Sequence, residues 1–219
     1  MDNIRNFSDQ MNSNEEFFEC NEHSKPSGFA SNGLVWPDGI GMIYFGMSPW
    51  EGMWKNRHQL MSRFASQMPV LYVEPPLKFR QVRKSRKHWL SLFNNIKSNN
   101  LRNIKEELYI HHQSSYFPVS HSKILRNFTE SRWIDSIKES ALSIGITHPI
   151  IWLSQPIQSS ILGQFNETIS IYHVVDEYSG YTGISPLVQK RNDQEEQVLL
   201  KNVTFTIVVS PELEVTKSG

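Results

Sequence analysis

The chain has 219 residues, enough for one α/β domain with a sizeable core and too few for two large domains. Its 22 Lys and Arg residues balance its 22 Asp and Glu residues, so there is no global field to favour nucleic acid, and we predict no nucleic-acid partner. A lone cysteine, the lack of a basic start before an apolar run, and the lack of about 18 consecutive apolar residues argue against disulfides, a signal peptide and a membrane span, so we expect a cytoplasmic protein.

The beginning of the chain, residues 1–38, is rich in Asn, Ser, Glu and Gly, and its apolar residues show no period. Such a segment buries too little apolar surface to offset the entropy that it loses on ordering. We therefore predict a disordered or loosely docked tail over residues 1–38 and a folded domain over residues 39–219.

Short apolar runs alternate with segments of helical period through the rest of the chain. Continuous runs of Val, Ile, Leu and aromatic residues are typical of strands buried on both faces, and strand–helix alternation implies right-handed crossovers between parallel strands. The predicted fold class is therefore α/β, a doubly wound, mostly parallel, Rossmann-like sheet with strand order 3-2-1-4-5-6. The predicted strands are Gly41–Gly46, Pro69–Val73, Glu107–His112, Pro149–Leu153, Thr168–Val175 and Thr204–Val209.

Apolar spacing of three, four and seven residues predicts three helices between these strands. The third covers about Pro186 to Lys201, and the second covers Ile124 to Ile144. The apolar face of the first helix is Met53, Leu60, Met61, Phe64 and Met68, and that of the second is Phe128, Trp133, Ile134, Ile137 and Ala141.

The ends of the predicted strands indicate where a site would lie. In an open parallel sheet, ligands bind outside the carboxyl ends of the strands, near the point where the strand order reverses, here between strands one and four. The loop after strand one and the loop at Ser154 should therefore flank the cleft. We predict one shared rim for Gly46, Glu74, Ser154, Asp176 and Ser210.

Several common sites are not indicated by the sequence. Gly39 and Gly41 precede the first strand, on the wrong side for a G-x-G-x-x-G phosphate loop, and no Walker pattern or G-x-S-x-G elbow occurs. The rings of His111 and His112 should face opposite sides of a strand, and no histidines have the spacing of metal ligands. We predict no cofactor and no metal.

The loop after the first strand carries two tryptophans and an acidic residue. Ser48, Pro49 and Glu51 match a capping box, which would make Glu51 part of a helix cap, and the alternative is contact with a ligand. Trp50 and Trp54 either pack in the core or stack on a bound molecule.

Charged residues near the predicted cleft also allow two interpretations each. Arg57 lies near the start of the first helix. Its guanidinium either binds a phosphate or carboxylate of a ligand or forms a salt bridge to Glu74 or Asp176. Asp176 and Glu177 lie at the end of the fifth strand. A carboxylate there can accept sugar hydroxyls or act as a general base. Alternatively, the two residues form a solvated turn or a cap for the next segment.

One basic segment, Lys78–His88, contains Lys78, Arg80, Arg83, Lys84, Arg86 and Lys87, and Trp89 follows it at once. Cations beside aromatic residues suit an anionic membrane surface, where each contributes about 1 kcal/mol. A solvated helix or loop is the alternative, and contact with nucleic acid is the third interpretation.

Several segments, in their order and spacing, resemble bacterial glycosyltransferases of the two-Rossmann (GT-B) type, especially those of teichuronic acid and cell-surface polysaccharide synthesis. These segments are Ile43-Tyr-Phe-Gly-Met-Ser-Pro-Trp50 with Arg57-His-Gln-Leu60, Val70-Leu-Tyr-Val-Glu-Pro-Pro76, Trp152-Leu-Ser-Gln-Pro156, Ile171-Tyr-His-Val-Val-Asp-Glu-Tyr178 and Ile207-Val-Val-Ser-Pro-Glu-Leu213.

The resemblance implies an N-terminal, acceptor-side domain, with the nucleotide-sugar donor held mainly by a C-terminal domain. It implies a glycan or polyprenyl-linked acceptor in the cell envelope, and Asp176 as the catalytic residue that orients or deprotonates the acceptor hydroxyl. The implied acceptor-binding residues are Trp50, Glu51, Trp54, Arg57, Glu74 and Glu177, and the implied donor-facing residues are Gly46, Ser48, Ser154 and Ser210.

The sequence departs from this family at two places. Val203-Thr204 stands where the helix before the last strand usually ends in Ala-Asp, and the chain stops at Gly219, before the C-terminal domain. We therefore expect the chain by itself not to transfer sugar efficiently. The alternatives are a flavodoxin-like, non-catalytic binding module and, last, a nucleotide-sugar epimerase or dehydrogenase, which would need the missing glycine fingerprint.

Overall fold

A computed structural model describes residues 36–76, 100–112, 123–175 and 185–217, with the backbone alone at 123–127 and 216. The chain divides into two units, Met1–Leu34 and Val35–Gly219, and every described residue belongs to the second. The predicted tail over residues 1–38 thus lies almost wholly outside the described residues and stays a prediction.

The described residues form a seven-stranded sheet with helices on both of its faces. Parallel pairing joins all neighbouring strands except β3 and β4, which are antiparallel. The spatial order is β3-β4-β2-β1-β5-β6-β7. The strands are β1 (Ile40–Phe45), β2 (Val70–Val73), β3 (Leu101–Lys105), β4 (Leu108–His111), β5 (His148–Leu153), β6 (Ile169–Val174) and β7 (Phe205–Val208).

The predicted fold class, a doubly wound and mostly parallel α/β sheet, is confirmed, but the strand order needs a correction. The predicted strands do lie in the order 3-2-1-4-5-6, and β3 adds an antiparallel edge strand beyond them. Sequence reasoning missed β3 because Leu101-Arg-Asn-Ile-Lys105 is mostly polar and exposed. A tight turn at Glu106, whose φ is +48°, lets β3 pair with β4 at the sheet edge, where no buried face is required.

The helices within the described residues are α1 (Asn56–Phe64), α2 (Lys123–Ser143), α3 (Pro186–Asn202) and α4 (Pro211–Lys217), with a 3-10 helix at Pro156–Ile161. Neither α4 nor the 3-10 helix was predicted, because each is too short for an apolar period to show. Two positions on the predicted apolar faces are corrected. Met53 lies before α1 and is 79% exposed, and Phe128 of α2 is 54% exposed beneath the guanidinium of Arg132.

The predicted capping box at Ser48-Pro49-Trp50-Glu51 is wrong, since α1 begins only at Asn56. One hydrogen bond and one backbone conformation explain the late start of α1. The backbone N–H of Trp50 donates to the carboxylate of Glu74 instead of joining a first helical turn. Gly52 then adopts φ +111°, which no right-handed helix contains.

Alternation along the strands divides the core into two layers, one on each face of the sheet. On one face, Tyr44 and Tyr72 pack beneath Met61 of α1. On the other face, Phe45 and Val73 pack beneath Ile137 of α2. The side chains of consecutive strand residues therefore enter opposite layers, which is why these strands read as continuous apolar runs.

Candidate functional site

The predicted rim corresponds to the carboxyl edge of the sheet. Gly46 follows β1, Glu74 follows β2, Ser154 follows β5 and Ser210 comes shortly after β7. Because these strands are parallel, all four positions lie at the same edge. Asp176 and Glu177, the predicted catalytic residue and its neighbour, lie outside the described residues.

A cavity of about 410 Å³ opens at this edge, where the order reverses between β1 and β5. It lies on the face of the sheet covered by α2 and α3. Its apolar lining is Phe45, Val73, Pro75, Pro76, Trp133, Ile157 and Ile161, and its polar lining is Gly46, Glu74, Glu130, Gln155, Gln158, Ser160, Arg191 and Glu195. Of the predicted site residues, the cavity brings together Gly46 and Glu74.

Both carboxylate oxygens of Glu74 are bound within the fold, and the residue is only 5% exposed. Its Oε1 accepts the backbone N–H of Trp50 at 2.8 Å, and its Oε2 pairs with Nδ1 of His112, which follows β4. Burial raises the pKa of Glu74, but the hydrogen bonds from His112 and Trp50 together outweigh burial and leave that pKa below its ordinary value. Glu74 thus ties together the loops that follow three strands.

The pKa values of the histidines after and within β4 are shifted in opposite directions. The hydrogen bond that His112 donates to Glu74 raises the pKa of His112 despite its partial burial. Burial lowers the pKa of His111 to about 4, so that its ring is neutral at physiological pH. Nδ1 of His111 lies 2.9 Å from Oγ of Ser140 in α2. The two rings face opposite sides of the strand, as the alternation predicts.

The pair between Glu74 and His112 should make the stability of the fold depend on pH. A raised histidine pKa contributes stability below the ordinary value of 6.5 that is lost as pH rises through the folded value. A lowered carboxyl pKa contributes stability above 4.5 that is lost as pH falls through the folded value. We expect His112→Gln to lower the free energy of unfolding most between pH 4.5 and pH 6.5, where both contributions are present. Unfolding in urea at successive pH values measures this loss.

The exposed His148 supplies the control for this measurement, because His148→Gln changes no ion pair in the described part of the chain. The change in the free energy of unfolding that His148→Gln causes should be small and should not vary across this pH range. A loss of stability in His112→Gln that stays constant from acid to alkaline pH would contradict the pairing.

Gln158, which the sequence analysis missed, holds the reversal point together. Its Oε1 accepts the backbone N–H groups of Ser154 at 2.8 Å and Gln155 at 3.0 Å, and its Nε2 donates to the carbonyl of Phe45 at 3.1 Å. One side chain therefore fixes the end of β1 against the end of β5. No sequence signal marks it, because the contact with Phe45 spans more than a hundred residues.

Two further carboxylates form the outer wall of the cavity, and sequence reasoning missed both. Glu130 of α2 accepts the hydroxyl of Ser160 at 2.9 Å. Glu195 of α3 accepts Nε and Nη2 of Arg191, each at 3.1 Å, and also the hydroxyl of Ser159. Both glutamates lie within helices that were predicted only for their apolar faces.

The tryptophans predicted to bind the acceptor lie on the α1 side of the sheet, away from this cavity. Trp50 is 7% exposed, and its ring lies edge-on to His58 at 4.4 Å and to Tyr72 at 5.0 Å between centroids. Trp54 is 60% exposed and stacks on the ring of His58. Glu51 is exposed and pairs with Arg102 of β3.

Arg57 also lies on the α1 side. Its Nη2 donates to the carbonyl of Pro49 at 3.0 Å, and its buried Nε has no hydrogen-bond partner among the described residues. Burial raises the pKa of both Tyr44 and Tyr72, although the charge of Arg57 opposes that rise. Of the two carboxylates considered as partners of Arg57, Glu74 pairs with His112 instead, and Asp176 lies outside the described residues.

The serines predicted to face the donor are engaged within the fold. The carbonyl of Ser48 accepts the hydroxyl of Tyr72 at 2.7 Å. Ser154 is fully buried and donates through Oγ to the hydroxyl of Tyr44 at 3.2 Å, on the α1 side. Ser210 lies before α4 and accepts the backbone N–H of Leu213 at 3.4 Å.

Two features are absent from the described residues. No helix there is long and apolar enough to cross a membrane. No three His, Cys, Asp or Glu side chains come close enough together, within the same ranges, to hold a metal ion. The basic segment Lys78–His88 falls outside those ranges, so its contact with a membrane stays a prediction.

Comparison with known proteins adds little to this description. No protein-family model matches the sequence, and no curated protein is significantly similar to it. A solved structure titled sucrose-phosphate synthase, from Thermosynechococcus elongatus, matches with a TM-score of 0.46 and 11% identity over 80% of this chain and 79% of that chain. A likeness at this level assigns neither a family nor an activity.

Proposed function

We propose that this domain is the acceptor-binding half of a glycosyltransferase, which moves a sugar from a nucleotide-sugar to a glycan or polyprenyl-linked acceptor. A C-terminal domain would hold most of the donor. The acceptor hydroxyl would attack the anomeric carbon, the bond from that carbon to the nucleotide diphosphate would break, and Asp176 would take the hydroxyl proton. This division of labour follows the resemblance described above.

The observation that carries the proposal is the cavity at the β1–β5 reversal. Ligands of open parallel sheets bind at this point, and a sugar ring needs both an apolar surface for its C–H face and polar groups for its hydroxyls. Trp133 and Ile157 supply the first, and Glu130 and Gln155 supply the second.

Filling the cavity should weaken sugar binding without unfolding the domain. Ile157 lines the cavity and is 54% exposed, so Ile157→Trp adds bulk at its mouth with little cost to the core. We expect at least about a tenfold loss of affinity, or about 1.4 kcal/mol, for any sugar that binds the unmodified chain. Saturation-transfer NMR with a panel of methyl hexosides measures this.

The matched control is Ile104→Trp, which makes the same exchange at a half-exposed position of the edge strand β3. It should bind as the unmodified chain does. The proposal fails if the folded chain binds no sugar saturably, or if Ile157→Trp binds as well as Ile104→Trp does.

A further inference from the structure

We propose that the cavity at the β1–β5 reversal takes an uncharged sugar unit and rejects one that carries a carboxylate or a phosphate. This inference rests on the proposed function. The proposed function allows any glycan or polyprenyl-linked acceptor. The inference restricts the acceptor to one whose terminal sugar, the unit that enters the cavity, has no anionic group.

The charges in the cavity wall are unbalanced. Among the described lining residues, the acidic groups are Glu74, Glu130 and Glu195, and the basic group is Arg191. Arg191 directs both Nε and Nη2 to a single oxygen of Glu195, so much of its charge is already neutralised within the wall. From the described part of the wall, an anion that enters this cavity would meet excess negative charge and little unpaired positive charge.

Glu74 contributes little to this repulsion. Both oxygens of its carboxylate are held by other groups, the N–H of Trp50 and the ring of His112, and neither of these lines the cavity. Glu195 is paired with Arg191, so the excess negative charge of the described lining comes mainly from Glu130.

An uncharged sugar suits the same wall. Each hydroxyl can donate a hydrogen bond to a carboxylate oxygen, and hydrogen bonds to charged groups are stronger than those between neutral groups. Glu130 is well placed for this role, because it is partly exposed and accepts only the hydroxyl of Ser160 among the described contacts.

Matched pairs of monosaccharides test the inference directly. Methyl β-glucoside and methyl β-glucuronide differ only at C6, and the corresponding galactose pair differs in the same way. We expect at least one hexoside to bind saturably at neutral pH and low salt, and its uronide to bind at least about tenfold more weakly. Added salt should narrow the difference, because it screens the repulsion.

Reversing one charge in the wall should reverse the selectivity. Glu130→Lys should raise the affinity for the uronide relative to the hexoside by at least about tenfold. Glu139→Lys makes the same change in net charge on an exposed position of α2 that does not line the cavity, and it should leave the ratio unchanged. Equal shifts in both variants would overturn the inference, since the effect would then reflect net charge alone.

The outcomes separate this inference from the proposed function. A folded chain that binds uronides as tightly as hexosides overturns the selectivity and leaves sugar binding in place. A folded chain that binds neither overturns both.

Discussion

Replacing Glu196 with leucine is expected to lower the free energy of unfolding by about 3–5 kcal/mol, the usual cost of removing one partner of a buried ion pair. Glu196 of α3 accepts the hydroxyl of Tyr172 in β6 at 2.8 Å and the ammonium of Lys217 in α4 at 2.8 Å. The side chains of Lys217 and Glu196 are only 8% and 6% exposed. Without the carboxylate, the ammonium of Lys217 would remain in a site with little access to water.

Urea unfolding followed by circular dichroism measures this loss. Asp193→Leu removes a carboxylate from an exposed position of the same helix, and it should change stability by no more than about 0.5 kcal/mol. The double variant Glu196→Leu with Lys217→Met removes both charges and should recover most of the lost stability, because paired apolar replacements are often neutral. Equal stability of Glu196→Leu and Asp193→Leu would show that the pair contributes nothing.

A methyl group at Gly46 is expected to destabilise the fold by about 3 kcal/mol or more, at the upper end of the cost of overpacking a core. A Cβ at this position would lie 2.2 Å from the hydroxyl oxygen of Tyr72 and 2.4 Å from Cζ of the same ring. That ring cannot move aside easily. It is fully buried, stacks on Tyr44 with centroids 5.2 Å apart, and donates to the carbonyl of Ser48.

Thermal unfolding of Gly46→Ala tests this close approach. Ser48→Ala changes a neighbouring loop residue without adding an atom, and it keeps the carbonyl that Tyr72 needs, so its midpoint should stay near that of the unmodified chain. Combining Gly46→Ala with Tyr72→Leu should cost less than the sum of the two single changes, because the second change removes the ring that the methyl group meets. Additive losses would mean that the two residues do not compete for space.

Gly46 also lines the cavity, so its replacement bears on the site as well as on the fold. The absence of a side chain there lets Tyr72 reach the β1 loop on one side of the sheet while the cavity remains open on the other. A loss of sugar binding in Gly46→Ala could therefore come from unfolding, so the folded fraction of this variant has to be measured as well. Ile157→Trp should change the cavity without this effect on stability.

The sequence by itself determined the fold class and the edge of the sheet at which a site could form. Continuous apolar runs such as Ile150-Ile-Trp-Leu153 have one explanation in an α/β fold, a strand covered on both faces, and parallel strands end at a common edge. The pattern of apolar runs thus predicted that Gly46 and Glu74 lie at the carboxyl edge of the sheet. Polar edge strands such as Leu101–Lys105 bury little, and so the sequence carried no signal for them.

The tertiary structure alone decided which side chains share the cavity. Trp50 and Trp54 follow β1 closely in sequence, yet they pack on the α1 side with His58, because the chain turns toward that layer before α1 begins. Glu130 and Glu195 lie on two helices that crossovers bring to the opposite layer. Hydrophobic periodicity identifies the buried face of a helix, but it does not show which polar residues of two distant helices will meet, because that depends on how the helices pack.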